Sequence, residues 1–179
     1  APTADVSSQR RCQLLRLHLI DDGSSSGLIH GDVHHAILGL EHHAVQAGDG
    51  TREALEEYAV GGIVYAKKNM QSKEQMAEMI QNTLSYSKYP LFIAVEEEGG
   101  SVSSVASAGI VSKEASAADI AATQDTNNAY QSGLAIGTYL SELGFNLDFA
   151  PVADLSNVEG SAMKDRSFGA DAATASPYM

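Results

Sequence analysis

Carboxylates dominate the residues of this chain that are placed for chemistry. Glu96, Glu97 and Glu98 follow the apolar run Leu91-Phe92-Ile93-Ala94-Val95 without a break and lead into Gly99-Gly100. Asp148 and Asp154 lie on either side of Pro151, and Lys164-Asp165-Arg166 precedes Ser167-Phe168-Gly169. An apolar strand that ends in acid and then turns on glycine presents its polar groups at its C-terminal edge. In a parallel α/β sheet all such edges point the same way, so residues far apart in sequence converge on one mouth. A ring of carboxylates with one guanidinium suits a sugar, whose vicinal hydroxyls donate to carboxylate oxygens and whose other oxygens accept from arginine. The competing reading is that these charges pair with one another and cap neighbouring helices. For a single carboxylate the two readings weigh equally; for the set the sugar is favoured.

The elements that would carry these residues follow from periodicity. Leu14 to Ile20 reads as a first buried strand, and Asp21 to Gly50 as a loop rich in Gly, Ser and His with one short helix near Val33 to Leu40. Thr51 is placed to cap a helix through Tyr58, broken by Gly61 and Gly62, and Ile63 to Ala66 reads as a short strand. Ser72 with Gln75 forms a capping box for the clearest helix, with Met76, Met79, Ile80, Thr83 and Leu84 at the spacing of one buried face. Pro90 ends that region and Leu91 to Val95 is the next strand. Ser101 to Asp125, dominated by Ser and Ala, suits a long functional loop with short helical pieces. A helix from about Asn127 to Leu143 is predicted to turn Tyr130, Leu134, Leu140 and Leu143 inward and to stop at Gly144. Asn146 to Ala150 is a last strand, left at Pro151. Strand–helix alternation of this kind implies a parallel sheet covered by helices, an α/β fold with right-handed crossovers.

Composition narrows the partners. The 179 residues suffice for one domain with a real core, and 44% hydrophobic with 19% charged residues is a globular balance. With 11 Lys and Arg against 23 Asp and Glu, the net charge of -12 argues against nucleic acid, whose phosphates need clustered positive charge. No run of apolar residues is long enough for a membrane span. The N-terminus lacks the order of a signal peptide, and the compartment stays unknown. Cys12 is alone, so no intramolecular disulfide forms, and it reads as a small buried hydrophobe. Asp32, His34, His35, Glu41, His42 and His43 include metal-ligand types, but without a recognised spacing such as H-E-x-x-H they read as a polar loop and not as a metal site.

Four linked motifs then become specific. GGIVYAKKN, PLFIAVEEEGG, LSELGFNLDFAPVADL and DRSFGAD occur in that order between about Glu53 and Asp171, and together they resemble the N-terminal catalytic domain of glycoside hydrolase family 3, in particular its β-N-acetylhexosaminidase branch. The resemblance implies a (β/α)8 TIM-type barrel, of which this chain would supply about the first half. It divides the chain into a His-rich N-terminal segment, 1–50, with no useful match, and the first part of the barrel domain, 51–179. It also implies removal of terminal β-linked N-acetylglucosamine with retention, through a covalent intermediate on an aspartate, without metal or organic cofactor. On the matching positions Glu96 and Arg166 are the implied substrate-binding residues, with Glu98, Asp154 and Asp165 as supports that hold them. Two departures are visible: Glu96 stands where the family usually has an aspartate, and Ser104 where it commonly has another sugar-contacting arginine.

No catalytic residue is assigned. In that branch the acid/base is a histidine on a loop after a motif resembling KHFPGHG, and the nucleophilic aspartate follows later; the 179 residues contain no Lys-His pair and no Pro-Gly-His run. The expectation is therefore a chain that is inactive alone, with a non-catalytic carbohydrate-binding or regulatory protein as the alternative. The expected partner is a saccharide containing N-acetylglucosamine. Half a barrel leaves two strand edges open, so a homo-dimer or a companion C-terminal fragment is expected as well.

Overall fold

The computed structural model describes residues 37–39, 46–58 and 60–179. The strand expected over Leu14 to Ile20, Cys12, and the histidine-bearing segment through His43 lie outside them. In chain order the elements are β1 (Ile37–Gly39), α1 (Asp49–Glu57), β2 (Gly62–Val64), a 3-10 turn (Lys67–Asn69), α2 (Lys73–Tyr86) and β3 (Phe92–Val95). There follow the short strands β4 (Glu97–Gly99) and β5 (Val102–Ser103), then α3 (Ser104–Ser107), α4 (Ala117–Ala122), α5 (Thr126–Leu143), β6 (Leu147–Asp148), α6 (Ala172–Ala175) and a closing 3-10 turn (Ser176–Tyr178).

The main sheet runs β1-β2-β3-β6, with every neighbouring pair parallel. Within this sheet the strands lie in their chain order, with α1 between the first pair, α2 between the second, and β4, β5 and α3 to α5 between β3 and β6. That monotonic progression is how a (β/α) barrel is laid down, whereas a doubly wound sheet reverses its order at a switch point. β4 and β5 form a separate antiparallel pair with an irregularity between Glu97 and Gly99. The short helix expected near Val33 to Leu40 is replaced by β1: Ile37 to Gly39 is paired in register with Gly62 to Val64. A short apolar run carries no periodicity of its own, and the ladder to β2 decides its state.

Helix ends follow local chemistry with two adjustments. α1 begins at Asp49, ahead of Thr51, with Gly48 at its cap position and no side-chain cap bond. Asp49 instead sits in the first turn, where its charge faces the positive helix end, and pairs with Arg52 at 3.0 Å. Ser72 Oγ accepts from Gln75 N at 3.1 Å as the capping box requires, but Gln75 Oε1 accepts from Gln71 N at 2.9 Å and not from Ser72. α2 buries Met76, Met79, Ile80 and Thr83. Leu84 is left 42% exposed.

α5 starts on Asp125, whose side chain accepts from Asn127 N, and stops at Gly144 with φ 96°. Its buried face is Ser132, Ile136, Leu140 and Leu143. Tyr130 and Leu134, expected inward, are 66% and 52% exposed. Each stands two residues before a buried position, about 200° around the helix, so they share the opposite face.

Ile63, Tyr65, Met76, Met79, Ile93, Val95, Leu140, Leu143 and Phe145 join in one core. Inside it the Tyr65 hydroxyl bonds Thr83 Oγ1 at 2.7 Å, and its ring meets Phe145 edge-on at 6.1 Å. Burial pushes the Tyr65 hydroxyl up to about 12, so it remains protonated. The Asn146 side chain extends the seam between β3 and β6, accepting from Ile93 N at 2.7 Å and donating to Leu91 O at 3.0 Å.

Packing is tight where β2 crosses β3. A Cβ on Gly62 would lie 2.5 Å from the Phe92 carbonyl oxygen, whereas one on Gly133, in α5, would meet nothing within 4 Å. Gly62→Ala should therefore lower stability by about 1–3 kcal/mol through overpacking against backbone. Gly133→Ala should raise it by about 0.5–1 kcal/mol through helix propensity. Urea midpoints at unchanged slope measure both, and a neutral Gly62→Ala would contradict this packing.

Candidate active-site rim

The acidic run after β3 divides by side. Glu96 is exposed, Glu97 has no exposure and Glu98 is largely covered. A carboxylate buried this far requires donors. Glu97 Oε2 accepts from Val105 N at 2.6 Å, and its Oε1 accepts from Ala106 N at 3.2 Å and from the Tyr139 hydroxyl at 2.9 Å. Ser104 N donates to the Glu96 carbonyl at 3.1 Å. The first three N–H groups of α3 are thus taken by the acidic run, while Ser103, at the cap position, makes no side-chain cap bond and donates to Gly100 O at 3.3 Å. Tyr139 is held far above its usual range, by burial first and then by the charge and hydrogen bond of Glu97, with Glu114 and Asp148 adding. It serves Glu97 as a permanent donor.

β6 supports the same point from the other side. Asp148 Oδ1 accepts from Glu97 N at 3.0 Å. Burial lifts the Asp148 carboxyl from 3.8 to about 6; its bond from Glu97 N works against the rise, and the charges of Glu97 and Glu98 add to it.

The turn that follows is glycine for two reasons. Gly99 and Gly100 have φ +84° and +57°, and a Cβ on Gly99 would lie 2.4 Å from the Ala115 carbonyl oxygen. Gly100 N closes that approach by donating to Glu114 O at 3.0 Å.

Arg166 meets Glu98 through a two-pronged pair, Nε to Oε2 at 2.8 Å and Nη2 to Oε1 at 2.5 Å. Glu98's hydrogen bonds raise the guanidinium above its ordinary value; partial burial opposes them, and the charges of Glu98, Glu96 and Asp154 reinforce them. Arg166 therefore lies within the field of Glu96 and Asp154 as well as in contact with Glu98. Its loop is anchored by the next two residues. Ser167 Oγ shares its proton between the carbonyls of Asp154 (2.6 Å) and Gly169 (2.8 Å). Phe168 packs with Ala117, Ile120 and Ala175 and stacks on Tyr178, ring centroids 5.5 Å apart.

The structure thus pairs Glu98 with Arg166 just beyond the end of β3, and the charges of Glu96 and Asp154 act on the same guanidinium. Asp165 contributes through its backbone: its side chain is exposed, and its carbonyl accepts from Ala118 N at 3.3 Å. Glu97 and Tyr139 were not singled out by sequence reasoning. Period-two alternation would have separated Glu97 from Glu96 and Glu98, and Tyr139 falls three residues after the buried Ile136. Among the described residues no group of three or more His, Cys, Asp or Glu could hold a metal ion, and no helix is long and apolar enough to cross a membrane.

Comparison with known proteins agrees in fold and family. Residues 33–179 match the model of the glycosyl hydrolase family 3 N-terminal domain, a span that includes β1. A beta-hexosaminidase of Haemophilus influenzae is 32% identical over 125 residues, 69% of this chain and 35% of that protein. Beta-hexosaminidase LpqI of Mycobacterium tuberculosis is 37% identical over 90 residues, 50% of this chain and 23% of that protein. A family 3 beta-N-acetylglucosaminidase structure from Paenibacillus superposes with TM-score 0.68 at 26% identity, covering 81% of this chain and 28% of that one. The chain spans about a third of the length of such curated relatives. Its sheet and helices are part of a TIM-barrel-like α/β fold.

Two outcomes test this geometry. Tyr139→Phe removes one donor from a buried carboxylate and should cost about 1.5–3 kcal/mol in urea unfolding; an unchanged midpoint would show that Glu97 does not depend on it. Asp148 binds its proton more tightly folded (about 6) than at its ordinary 3.8. Between those values the folded state holds the extra proton, so this residue makes stability decline as pH rises from about 4 to 6. Asp148→Asn should flatten that decline and be the more stable protein above pH 6, read from urea midpoints against pH; parallel profiles for the two proteins would refute the assignment.

Proposed function

The chain belongs to glycosyl hydrolase family 3, through its N-terminal domain, and on that premise we propose that it forms the substrate-gripping rim of a retaining β-N-acetylhexosaminidase. Glu96 accepts from hydroxyls of a terminal β-linked N-acetylglucosamine, and Arg166 donates to its oxygens. The observation that carries this reading is the Glu98–Arg166 pair. It spends only part of the guanidinium's donor capacity and leaves the rest within the field of the exposed Glu96. Because Glu98 is only 7% exposed, it fixes the arginine plane without competing with substrate for space. Asp154 adds negative potential, and Ser167 and Phe168 hold the loop in place.

Gripping is not cleaving. Retention needs a nucleophile and a group that alternates as acid and base, and the family motif for the latter does not occur in these 179 residues. The rim alone orients a sugar without supplying the proton or the covalent step. A second reading, a non-catalytic carbohydrate-binding protein, is favoured by one observation: at Ser104, where the family commonly carries a further arginine, the backbone N–H is tied to the Glu96 carbonyl at the start of α3.

Titration with N-acetylglucosamine followed by heteronuclear NMR should shift amides around Glu96 to Gly100 and Arg166. Arg166→Lys, which loses the fork geometry, should weaken that binding about tenfold. The same chain should release nothing from an aryl β-N-acetylglucosaminide. Binding that survives Arg166→Lys and Glu96→Gln unchanged would overturn the rim. Turnover by this chain would overturn the separation of gripping from cleaving.

A further inference from the structure

The sheet face that bears Glu96 also carries an aromatic ring left out of the packing. We propose that Phe149 is the stacking platform of the rim, a role that rests on the function proposed above. Its ring takes the C–H face of the pyranose whose hydroxyls Glu96 accepts, and so selects a cyclic sugar over an open-chain polyol with the same hydroxyls.

Register fixes the placement. β3 and β6 are parallel, with Ala94 opposite Leu147 and Val95 opposite Asp148. Phe149 N continues the ladder by donating to Val95 O at 3.0 Å. Val95 is fully buried in the core shared with the helices. Side chains alternate along a strand, so Ala94 and Glu96 on one side of the seam, with Leu147 and Phe149 on the other, share the opposite face. One step past the last pair, Glu96 and Phe149 are cross-strand neighbours at the C-terminal edge, their backbones about 5 Å apart. Val64, opposite Ala94 across the other seam, extends the apolar floor below them.

Phe149 is 43% exposed, joins neither apolar cluster and stacks on no other ring among the described residues. A single exposed apolar residue would by itself need no explanation. This one stands beside the exposed Glu96, and Glu98, the next carboxylate on that side, holds Arg166. An apolar surface with a few oriented polar groups is how sites for small ligands are lined. A pyranose is amphipathic in the matching sense: its hydroxyls donate to a carboxylate, while its axial C–H groups meet the negative face of an aromatic ring. Phe92 supplies the contrast. It lies on the same face and is 55% exposed, but it precedes Glu96 by four residues, about 13 Å along the strand, too far for one sugar ring to touch both.

NMR titration of the 179-residue chain with N-acetylglucosamine tests this from the ligand side. The sugar's ring protons should move upfield on binding, as protons over an aromatic face do. Phe149→Leu should abolish that shift and weaken binding about three- to tenfold, with unaltered thermal melts. Phe149→Tyr, which keeps the ring, should retain both, and Phe92→Leu should leave both unchanged. N-acetylglucosaminitol, the open-chain reduced form, should bind the parent more weakly than the cyclic sugar does, and that gap should narrow in Phe149→Leu. A parent that does not bind N-acetylglucosamine would overturn the rim and its platform together. Binding that weakens in Arg166→Lys but not in Phe149→Leu would overturn the platform alone, as would an equal loss in Phe92→Leu. A Phe149→Leu effect confined to self-association, read by light scattering, would also overturn it, because the ring would then be covered by a second copy.

Discussion

A carboxylate with no solvent exposure sits at the hinge of this structure, and the arrangement around Glu97 is what the rest depends on. Burying an unpaired carboxylate is prohibitive. Glu97 is tolerated because two backbone N–H groups of α3 and the Tyr139 hydroxyl converge on it. Those bonds tie the end of β3 to α3 and to the C-terminal part of α5, at residues that the chain reaches 8 and 42 positions later. Once Glu97 is turned inward, strand alternation leaves Glu96 and Glu98 no choice but the other side. The carboxylates on the rim side are thus positioned by the one that is buried.

Glu98 and Arg166 are a different kind of pair. Charge-assisted and two-pronged, largely covered on the acid side, they gain more from geometry than an exposed pair such as Asp49–Arg52, whose carboxylate stands mostly in water. The pair closes a loop of chain from β4 to the segment before α6. Ser167 and Phe168 brace that loop independently, one through Asp154 and Gly169 carbonyls and the other through a small apolar cluster. Arg166 is therefore fixed at its head by charge and at its base by packing. A guanidinium held at both ends presents its remaining donors with little entropy left to lose on binding.

Much of this was legible in the residues. The order of strands and helices, the Ser72 cap, the Gly144 stop and the placing of Glu98 and Arg166 near one sheet edge follow from patterns that are local or that a parallel sheet enforces. What escaped has a physical reason in each case. β1 is a strand only because β2 lies beside it. Tyr130 and Leu134 are apolar, but the face of α5 is set by Ile136, Leu140 and Leu143, and two residues cannot turn a helix against three. Glu97 looked like its neighbours because, strand alternation apart, three identical carboxylates carry no mark of burial. Its partners are a tyrosine far along the chain and backbone N–H groups that no composition displays.

The environment of Asp148 shows why stability and site chemistry are joined here. Its carboxyl is lifted by burial and by the nearby charges of Glu97 and Glu98, yet it is retained because its oxygen receives the Glu97 N–H. β6 contributes only two residues to the ladder, and the Asn146 amide and the Asp148 carboxylate act where a longer strand would use backbone. The seam between β3 and β6 is therefore built partly from groups that respond to charge. The negative potential at this edge is felt by the sheet itself, and on the proposed reading of the rim a ligand that donates hydrogen bonds to Glu96 would lessen the same repulsion that Asp148 experiences. Binding at such a rim and folding would then be parts of one electrostatic balance.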